Sequence, residues 1–425
     1  MQFILPYLLF GIVLFTYHEN KDFFNPIVIL FSIWGVIVFL SSLRLYGMYV
    51  TSQRTYYIIT LGLFCFYFGY LVSMKLKIDN FNELSSTNIT IQRECSINYT
   101  FVYIFCIITV ILLFQDLRII IFQRVRIGEI RNFASTPTSA LYSSRGRING
   151  ILRILVVNPF LYVILPIFGL TYWKEKRYMI LQVLTFLVII LQFFTLGGRL
   201  FFVLFVFHFL LIRSVYIPRK KFIITRESIQ FFLLIVLAIG LFLVIARLRG
   251  NQDLLKTLYI YISGCVPHLD VRIKIIDYDN IYTMGLASLS GLFSVIFQFL
   301  DTMNILEKPF FWVLTQSKLF VENAVSIGST TKINAFVTPF FYLYLDFRVF
   351  GVIFGMGVYG FLTGRLYRLM RTSKNYVNVF LYSLILQGLM LSMIRLEFAN
   401  SAYVISLFYS LILFKKQSRK ITIRV

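Results

Sequence analysis

Residues 26–43 read PIVILFSIWGVIVFLSSL, a stretch without a single charged side chain. A helix needs about 20 mainly apolar residues to cross a hydrocarbon core of roughly 30 Å. Apolar blocks of similar length recur from Phe3 to Phe414, and the chain is 59% hydrophobic with a mean hydropathy of +0.80. Backbone groups in lipid must hydrogen-bond internally, and the blocks are continuous instead of short and alternating. The sequence therefore predicts an all-α, polytopic integral membrane protein.

The apolar blocks divide the chain into a series of predicted helices. We expect a single membrane-embedded domain over residues 1–425, a helical bundle of about 11–12 transmembrane helices with one large external loop at 247–331. The first block has no basic segment before it and no small-residue cleavage site, so we interpret it as a retained helix. The predicted helices lie near 2–17, 26–43, 56–74, 98–115, 154–172, 178–195, 200–216, 229–246, 349–365, 376–394 and 400–414.

The charge of the chain is strongly asymmetric, with 41 Lys and Arg against 18 Asp and Glu. The basic residues are dispersed between apolar blocks, which argues against a nucleic acid as partner. Lys and Arg in short loops favour the cytoplasm, so three basic clusters predict cytoplasmic segments. The first turn (18–22), the loop 247–331 and the turn 395–400 are then predicted to be external. The clusters are Arg213, Arg219, Lys220, Lys221 and Arg226; Arg365, Arg368, Arg371 and Lys374; and Lys415, Lys416, Arg419, Lys420 and Arg424.

The basic residues of the first half do not fit this scheme. The connection at 118–153 is rich in arginine, and the turn at 174–177 is also basic, so both are predicted to be cytoplasmic. One ordinary helix at 154–172 cannot place both on the same side. Three interpretations stay open: the helix is re-entrant, the connection itself crosses the membrane, or one of the two clusters faces outward.

The four cysteines show no C-x-x-C pair and no histidine at metal-ligand spacing, so they predict no metal centre. A Cys95–Cys265 disulfide is one option for two of them.

Four arginines at predicted external helix ends are candidates for binding an anionic group. A guanidinium fork matches phosphate oxygens, and Gly198 beside the first arginine lets the backbone approach a ligand closely. The alternatives are an arginine that reaches the lipid headgroups, for the first, and an ion pair with Glu397, for the last. The four are Arg199, Arg247, Arg249 and Arg395.

The predicted external segments also contain the candidate acid–base residues. His268 and Asp270 lie two positions apart, and such a histidine is able to act as general base for a sugar hydroxyl. The pair Asp277 and Asp279 matches a weak divalent-cation pattern, and the first turn (18–22) carries two further acids. A lone histidine in a loop is more often inert, and acidic residues in a loop are more often part of the solvated surface.

Residues 331–351 contain an apolar stretch, 335–345, that is too short to cross a membrane. Pro339 interrupts it, and both of its ends are predicted to be external. A re-entrant or interfacial half-helix fits this pattern, and its buried polar residues Asn334 and Asp346 become functional candidates.

These motifs resemble the bacterial oligosaccharide repeat-unit polymerases, the O-antigen or capsule polymerase family often called Wzy. The shared features are Gly-Gly-Arg at 197–199, the large external loop that begins near Arg247, and a series of residues within 334–347. Family members usually have Gly after Asp-Phe, where this chain has Arg348. That departure either weakens the match or adds one more external cation. The matching residues of the series are Asn334, Ala335, Phe336, Thr338, Tyr344, Asp346 and Phe347.

The resemblance implies a metal-independent, cofactor-free glycosyltransferase of the GT-C kind in the bacterial cytoplasmic (inner) membrane. Its substrates would be undecaprenyl-pyrophosphate-linked oligosaccharide repeat units, joined en bloc at the outer face, with arginines stabilising the leaving pyrophosphate. Membrane lipid and a chain-length-determinant co-polymerase are the implied partners. The expected catalytic residues are His268, Asp270 and Asp346; the pyrophosphate-binding residues are Arg199, Arg247, Arg249 and Arg395; the substrate-binding residues are Gly198, Tyr261, Asn334 and Tyr344.

Three other functions compete with this one. An O-antigen ligase has a similar layout but transfers the finished chain to lipid A–core. A lipid-linked oligosaccharide flippase or other transporter would show internal repeats and ionisable residues at mid-membrane. A different GT-C enzyme, using polyprenyl-phosphate sugars, would depend on Glu19 and Asp22 with a metal ion.

Overall fold

The structure of the protein is a computed structural model that describes residues 1–76, 94–126, 129–130, 133, 139, 146–175, 179–196, 200–217, 254–302, 323–329, 331–334 and 336–417. It confirms an all-α, polytopic bundle. Among the described residues, 6 helices are long and apolar enough to cross a membrane, and shorter apolar helices accompany them. The predicted helix at 229–246 lies outside the described residues.

Most helices begin and end close to where the apolar pattern predicts. Asn25 caps α2 by accepting a hydrogen bond from the Ile27 amide at 2.9 Å, and Pro26 occupies the first turn, where its missing N–H costs nothing. The helices are α1 (Ile4–Asn20), α2 (Pro26–Leu43), α3 (Gln53–Lys75), α4 (Tyr99–Phe122), α5 (Gly146–Leu152), α6 (Asn158–Leu170), α7 (Met179–Leu196), α8 (Leu200–Tyr216), α9 (Leu254–Ser263), α10 (Cys265–Tyr278), α11 (Ser290–Thr302), α12 (Thr338–Ser373), α13 (Tyr376–Met390), α14 (Ser401–Phe408) and α15 (Ser410–Leu413).

The described strands form two short antiparallel ribbons. In the first, β1 (Glu94–Ile97) pairs with β4 (Phe414–Gln417). In the second, β2 (Val325–Ser326) pairs with β3 (Lys332–Ile333).

The chain divides into two compact units. Unit 1 consists of residues 1–92, 255–373 and 388–404, and unit 2 consists of 93–254, 374–387 and 405–425.

In unit 1, α3 and α12 pack against each other through glycines. A Cβ at Gly69 would fall on the carbonyl oxygen of Gly357, and a Cβ at Gly360 would fall on that of Phe66. Without a driving force from water, helices in lipid associate where small residues let the two backbones approach closely. These glycines therefore fix the contact between the two helices.

Helix α12 is interrupted at Phe347 and Arg348, whose backbone angles are not helical. A half-helix (338–346) precedes the break and a long segment (349–373) follows it. Leu343 in the half-helix packs against Gly351 and Gly355 of the long segment. In a continuous helix, positions eight residues apart are separated by about 12 Å. The half-helix therefore folds back along the long segment, as the short apolar stretch at 335–345 suggested.

At one end of unit 1, the first turn (18–22) lies beside the basic cluster at 365–374. There, Asp22 Oδ2 accepts a hydrogen bond from the Tyr367 hydroxyl at 3.0 Å and lies 3.3 Å from Arg371 Nη1. The predicted placement of the first turn (18–22) and the basic cluster at 365–374 on opposite sides is therefore wrong. The first turn has Lys21 beside two acids, so the positive-inside rule gives no signal there.

The structure of unit 2 distinguishes between the three interpretations of the Arg-rich connection at 118–153. Residues 146–175 form one helical run with two widened turns, 153–157 and 171–175, and 149–175 is long enough to span. The Tyr99 hydroxyl contacts Glu175, so the start of α4 and the end of this run lie together. The connection leaves α4 and returns to α5 at the opposite end. The connection and Glu175 therefore lie at different ends of the run, so the prediction that both basic segments are cytoplasmic is wrong. Of the three interpretations, the one in which one cluster faces outward fits the structure.

Arg153 explains part of that error, because it is not a loop residue. It lies inside the helical run, buried, with Nη1 2.5 Å and Nη2 2.9 Å from the two carboxylate oxygens of Asp116. The proposed Cys95–Cys265 disulfide is also absent, since Cys265 is a free, buried thiol that contacts the Ile262 carbonyl.

Candidate functional site

The end of unit 1 opposite Arg371 is rich in polar contacts. Ser52 caps the start of α3, and Asp270 of α10 accepts hydrogen bonds there from the Ser52 amide at 3.2 Å and the Thr55 hydroxyl at 2.7 Å. Lys274, one turn along α10, lies 2.7 Å from the other Asp270 oxygen. Burial opposes the charged form of Asp270, but the hydrogen bonds from Lys274, Ser52 and Thr55 outweigh it and lower its pKa. Asp270 thus holds α10 against the start of α3.

A second carboxylate on α10, Asp277, is the centre of a cationic and aromatic cluster. Arg54 Nη1 lies 2.8 Å from one Asp277 oxygen, and the Tyr344 hydroxyl donates a hydrogen bond to the other at 2.8 Å. Arg348 Nη1 lies 3.6 Å from that same second oxygen. Arg54 Nη2 also donates to the Tyr344 hydroxyl at 2.6 Å. Three chain segments, the start of α3, the end of α10 and the break of α12, therefore meet at one carboxylate.

Two aromatic rings lie close to the guanidinium group of Arg348. Its guanidinium carbon lies 4.3 Å from the centroid of Tyr282 and 5.5 Å from that of Tyr344. Arg348 Nη2 donates to the Ile276 carbonyl at 3.0 Å, whereas no described residue accepts a hydrogen bond from buried Nη1. A buried donor without an acceptor costs about 1–3 kcal/mol.

The backbone of Arg348 is strained. Its φ of 53° with ψ of −136° falls in a region that glycine adopts easily and L-residues adopt at a cost of about 1–3 kcal/mol. The Gly that usually follows Asp-Phe in the resembled family would fit this conformation without strain.

His268 is fully buried, and both of its ring nitrogens have partners. Nδ1 lies 2.9 Å from the Phe336 carbonyl, which accepts its proton, and Nε2 accepts a hydrogen bond from Arg272 Nε at 3.1 Å. Burial, and next the charge of Arg272, lower the pKa of His268 to about 4. The ring therefore ties α10 to the segment before the half-helix. Its role as general base stays a prediction, and it requires release of the Arg272 contact.

Asp346 is also buried and saturated with donors. It accepts hydrogen bonds from the Thr283 hydroxyl at 2.5 Å and from the amides of Ala287 and Ser288 at 3.0 and 2.9 Å. The carboxylate thereby fastens the segment between α10 and α11 to the end of the half-helix, directly beside Arg348.

The remaining substrate-binding candidates occupy different environments. Tyr344 belongs to the Asp277 cluster. Tyr261 is 40% exposed and stacks on Phe336 with ring centroids 5.5 Å apart. Asn334 is exposed, so the prediction that it is buried is wrong. It precedes the half-helix instead of lying within it, which leaves its side chain at the surface.

Arg395 lies in the break between α13 and α14. Its Nε donates to Glu397 Oε1 at 2.9 Å, and Glu397 is buried. The ion pair that we considered as the alternative is therefore present. This turn touches the middle of the long segment of α12, since Phe398 packs edge-on against Tyr359 with centroids 5.5 Å apart.

The structure brings only part of the predicted site together. Gly198, Arg199, Arg247 and Arg249 lie outside the described residues. Sequence reasoning missed Arg54, Lys274 and Tyr282. Arg54 stands alone at a helix start, and the i, i+4 spacing of Asp270 and Lys274 was the one available signal. Among the described residues, no group of three or more His, Cys, Asp or Glu side chains is arranged to hold a metal ion.

In comparisons with known proteins, no family model, no curated protein and no solved structure matches this chain.

Proposed function

We propose that this chain is a membrane glycosyltransferase that polymerises undecaprenyl-pyrophosphate-linked oligosaccharide repeat units at the outer face of the bacterial cytoplasmic membrane. The observation that carries the proposal is the convergence of Arg54 and Arg348 on one end of unit 1, opposite the basic cluster at 365–371. The positive-inside rule assigns that cluster to the cytoplasm, so it does not account for cations at the other end. The large external loop of the proposal supplies α9, α10 and α11 to that end.

The chemistry of glycosyl transfer from a pyrophosphate suits these groups. Negative charge builds up on the leaving pyrophosphate, and fixed guanidinium groups stabilise it as it develops. Tyrosines beside the arginines, Tyr344 and Tyr282, offer flat apolar faces and a hydroxyl for a sugar ring. Arg199, Arg247 and Arg249 lie outside the described residues and stay predicted pyrophosphate-binding residues, and His268, Asp270 and Asp346 stay the predicted acid–base groups.

A second candidate function, transport of a lipid-linked oligosaccharide, is favoured by a different observation. Unit 1 contains two interrupted helical segments, one at Phe347 and Arg348 and one between α13 and α14. Transporters commonly form their substrate site where membrane helices are discontinuous. Such a protein would move the substrate across the bilayer without lengthening it.

One reconstitution separates the two functions. The purified full-length protein is placed in proteoliposomes with an undecaprenyl-pyrophosphate-linked repeat unit of defined structure. We expect a ladder of products that differ by one repeat unit, together with released undecaprenyl pyrophosphate. Transbilayer movement of the substrate without a ladder would contradict the polymerase and support the transporter.

The matched variants for this assay are Arg54→Ala and Arg365→Ala. Both remove an exposed arginine of unit 1, one in the Asp277 cluster and one at the opposite end. We expect Arg54→Ala to lower the polymerisation rate on the order of 100-fold, comparable to loss of one oxyanion-stabilising donor, and Arg365→Ala to leave it unchanged. Equal rates in both variants would remove Arg54 from the site.

A further inference from the structure

The Asp277 cluster contains more cationic hydrogen-bonding capacity than its carboxylate uses. Arg54 and Arg348 face Asp277 with one nitrogen at 2.8 Å and one at 3.6 Å, and the longer distance exceeds that of a hydrogen bond. No described residue accepts a hydrogen bond from Arg348 Nη1. Asp277 Oδ2 also has no hydrogen-bond partner among the described residues, although it lies 2.8 Å from Arg54 Nη1. The carboxylate therefore fits the two guanidinium groups poorly, and a group with more oxygens would satisfy both at once.

The contact between Arg54 and Asp277 is also easy to replace. The Arg54 side chain is 59% exposed and the Asp277 side chain 28% exposed, so water screens their attraction. Ion pairs of this kind contribute little net stabilisation. An incoming anion of higher charge therefore competes with Asp277 on favourable terms.

Both the backbone conformation and the side-chain environment of Arg348 are unfavourable for an arginine. Its backbone adopts a conformation suited to glycine, and its side chain is 15% exposed with a buried donor left over. Tyr282 and Tyr344 add cation–π contacts to the guanidinium group. Strain of this type, kept in place by surrounding contacts, is characteristic of ligand-binding positions.

We propose that Arg54 and Arg348 form a binding site for a phosphate or pyrophosphate group, in which Asp277 serves as an internal anion that the ligand displaces. The Tyr344 hydroxyl, released from Asp277, then donates to a ligand oxygen. The site itself stands on these contacts, and it rests on the proposed function only for the identity of the larger molecule that carries the phosphate.

The test is binding of inorganic pyrophosphate to the purified full-length protein in detergent, measured by calorimetry. We expect saturable binding by the wild type. Arg54→Ala and Arg348→Gly should weaken it about tenfold or more, because each removes a charge-assisted contact. Asp277→Asn should strengthen it about fivefold, because the competing charge is gone while an acceptor for Tyr344 remains. Arg365→Ala serves as the control and should bind like the wild type.

The proposal predicts stronger pyrophosphate binding for Asp277→Asn and weaker binding for the two arginine variants, and this opposition makes the test decisive. If Asp277 and the arginines were merely a structural ion pair, Asp277→Asn would weaken binding or leave it unchanged, and either outcome overturns the proposal. Absence of saturable binding in both the wild type and Asp277→Asn overturns it as well. Thermal melts check folding, and Arg348→Gly should melt above Arg348→Ala, since glycine alone relieves the positive φ.

Two further arms identify the source of the phosphate. Undecaprenyl pyrophosphate and phosphatidylglycerol, each in the same detergent, compete against inorganic pyrophosphate. Stronger competition by undecaprenyl pyrophosphate supports the substrate of the proposed polymerase. Equal or stronger competition by phosphatidylglycerol supports a phospholipid headgroup at the same site. In that case the phosphate site is retained, while the proposed polymerase loses this support.

Discussion

At the scale of single residues, the buried polar groups of unit 1 act chiefly as fasteners. His268, Asp270 and Asp346 each satisfy their hydrogen-bonding atoms within the protein, and each joins two segments that are distant in sequence. The cluster around Asp277 differs because Arg54 is exposed and Arg348 retains a buried donor. Polar groups whose hydrogen-bonding atoms all have partners stabilise the fold, whereas groups with an unused donor are available to a ligand.

His268 makes the stability of the protein depend on pH. Burial, together with Arg272, lowers its pKa from 6.5 to about 4, so the unfolded chain binds a proton more readily than the folded protein between those values. The contribution of His268 is complete above pH 6.5. As the pH falls from 6.5 to about 4, we expect the free energy of unfolding to decrease by up to about 3 kcal/mol. Denaturant unfolding of the full-length protein across this range measures it.

Two variants isolate this effect. His268→Asn does not titrate and should reduce the pH dependence between 4 and 6.5 by the share that His268 contributes, whereas replacement of exposed His18 by Asn should preserve it. The lowered pKa of Asp270 moves its own loss of stability below its ordinary value of 3.8, outside the window of His268. An unchanged slope in His268→Asn would show that other groups cause the dependence.

At the scale of secondary-structure elements, hydropathy located most of the described helices and the break inside α12, but not the widened turns of unit 2. The short apolar stretch at 335–345, followed by a separate block at 349–365, predicted the break at Phe347 and Arg348. A continuous apolar stretch, in contrast, gives the same signal whether its helical turns are regular or widened. The widened turns at 153–157 and 171–175 left no mark in the sequence. Arg153 was counted as a loop charge because its ion-pair partner, Asp116, is distant in sequence.

Close packing of α3 on α12 predicts a large effect of one added methyl group. Gly69→Ala places a Cβ on the Gly357 carbonyl, a backbone atom that cannot move aside. We expect a destabilisation of about 1–3 kcal/mol, the usual cost of overpacking. Gly11→Ala is the matched control, since no atom lies within 4 Å of the added Cβ. Thermal melts in detergent that show equal shifts for both variants would refute close packing at Gly69.

At the scale of the whole molecule, each unit taken by itself has a distinct distribution of charge. In unit 1, the Asp277 cluster lies opposite the end that contains Arg371. In unit 2, the end that contains Glu175 also contains the start of α13, because the Tyr376 hydroxyl donates to Glu175 at 2.8 Å. Arg118, Arg124 and Arg126 lie at its other end and are exposed. The positive-inside rule predicted a cytoplasmic location both for these arginines and for the turn at 174–177, and the helix between them showed only that the two predictions conflict.

The arrangement of unit 2 predicts one of the three topologies that the sequence left open, the one in which one of the two basic clusters faces outward. Lys374 and the residues of β4 lie at the Glu175 end, where the basic tail favours the cytoplasm. The connection that contains Arg126 must then face outward. In a background without native cysteines, we expect Arg126→Cys to react with a membrane-impermeant maleimide applied from outside. Lys374→Cys should react only after the membrane is permeabilised. Labelling of both positions from the same side would contradict a full crossing by 149–175, because the two ends of that helical run cannot share one face of the membrane.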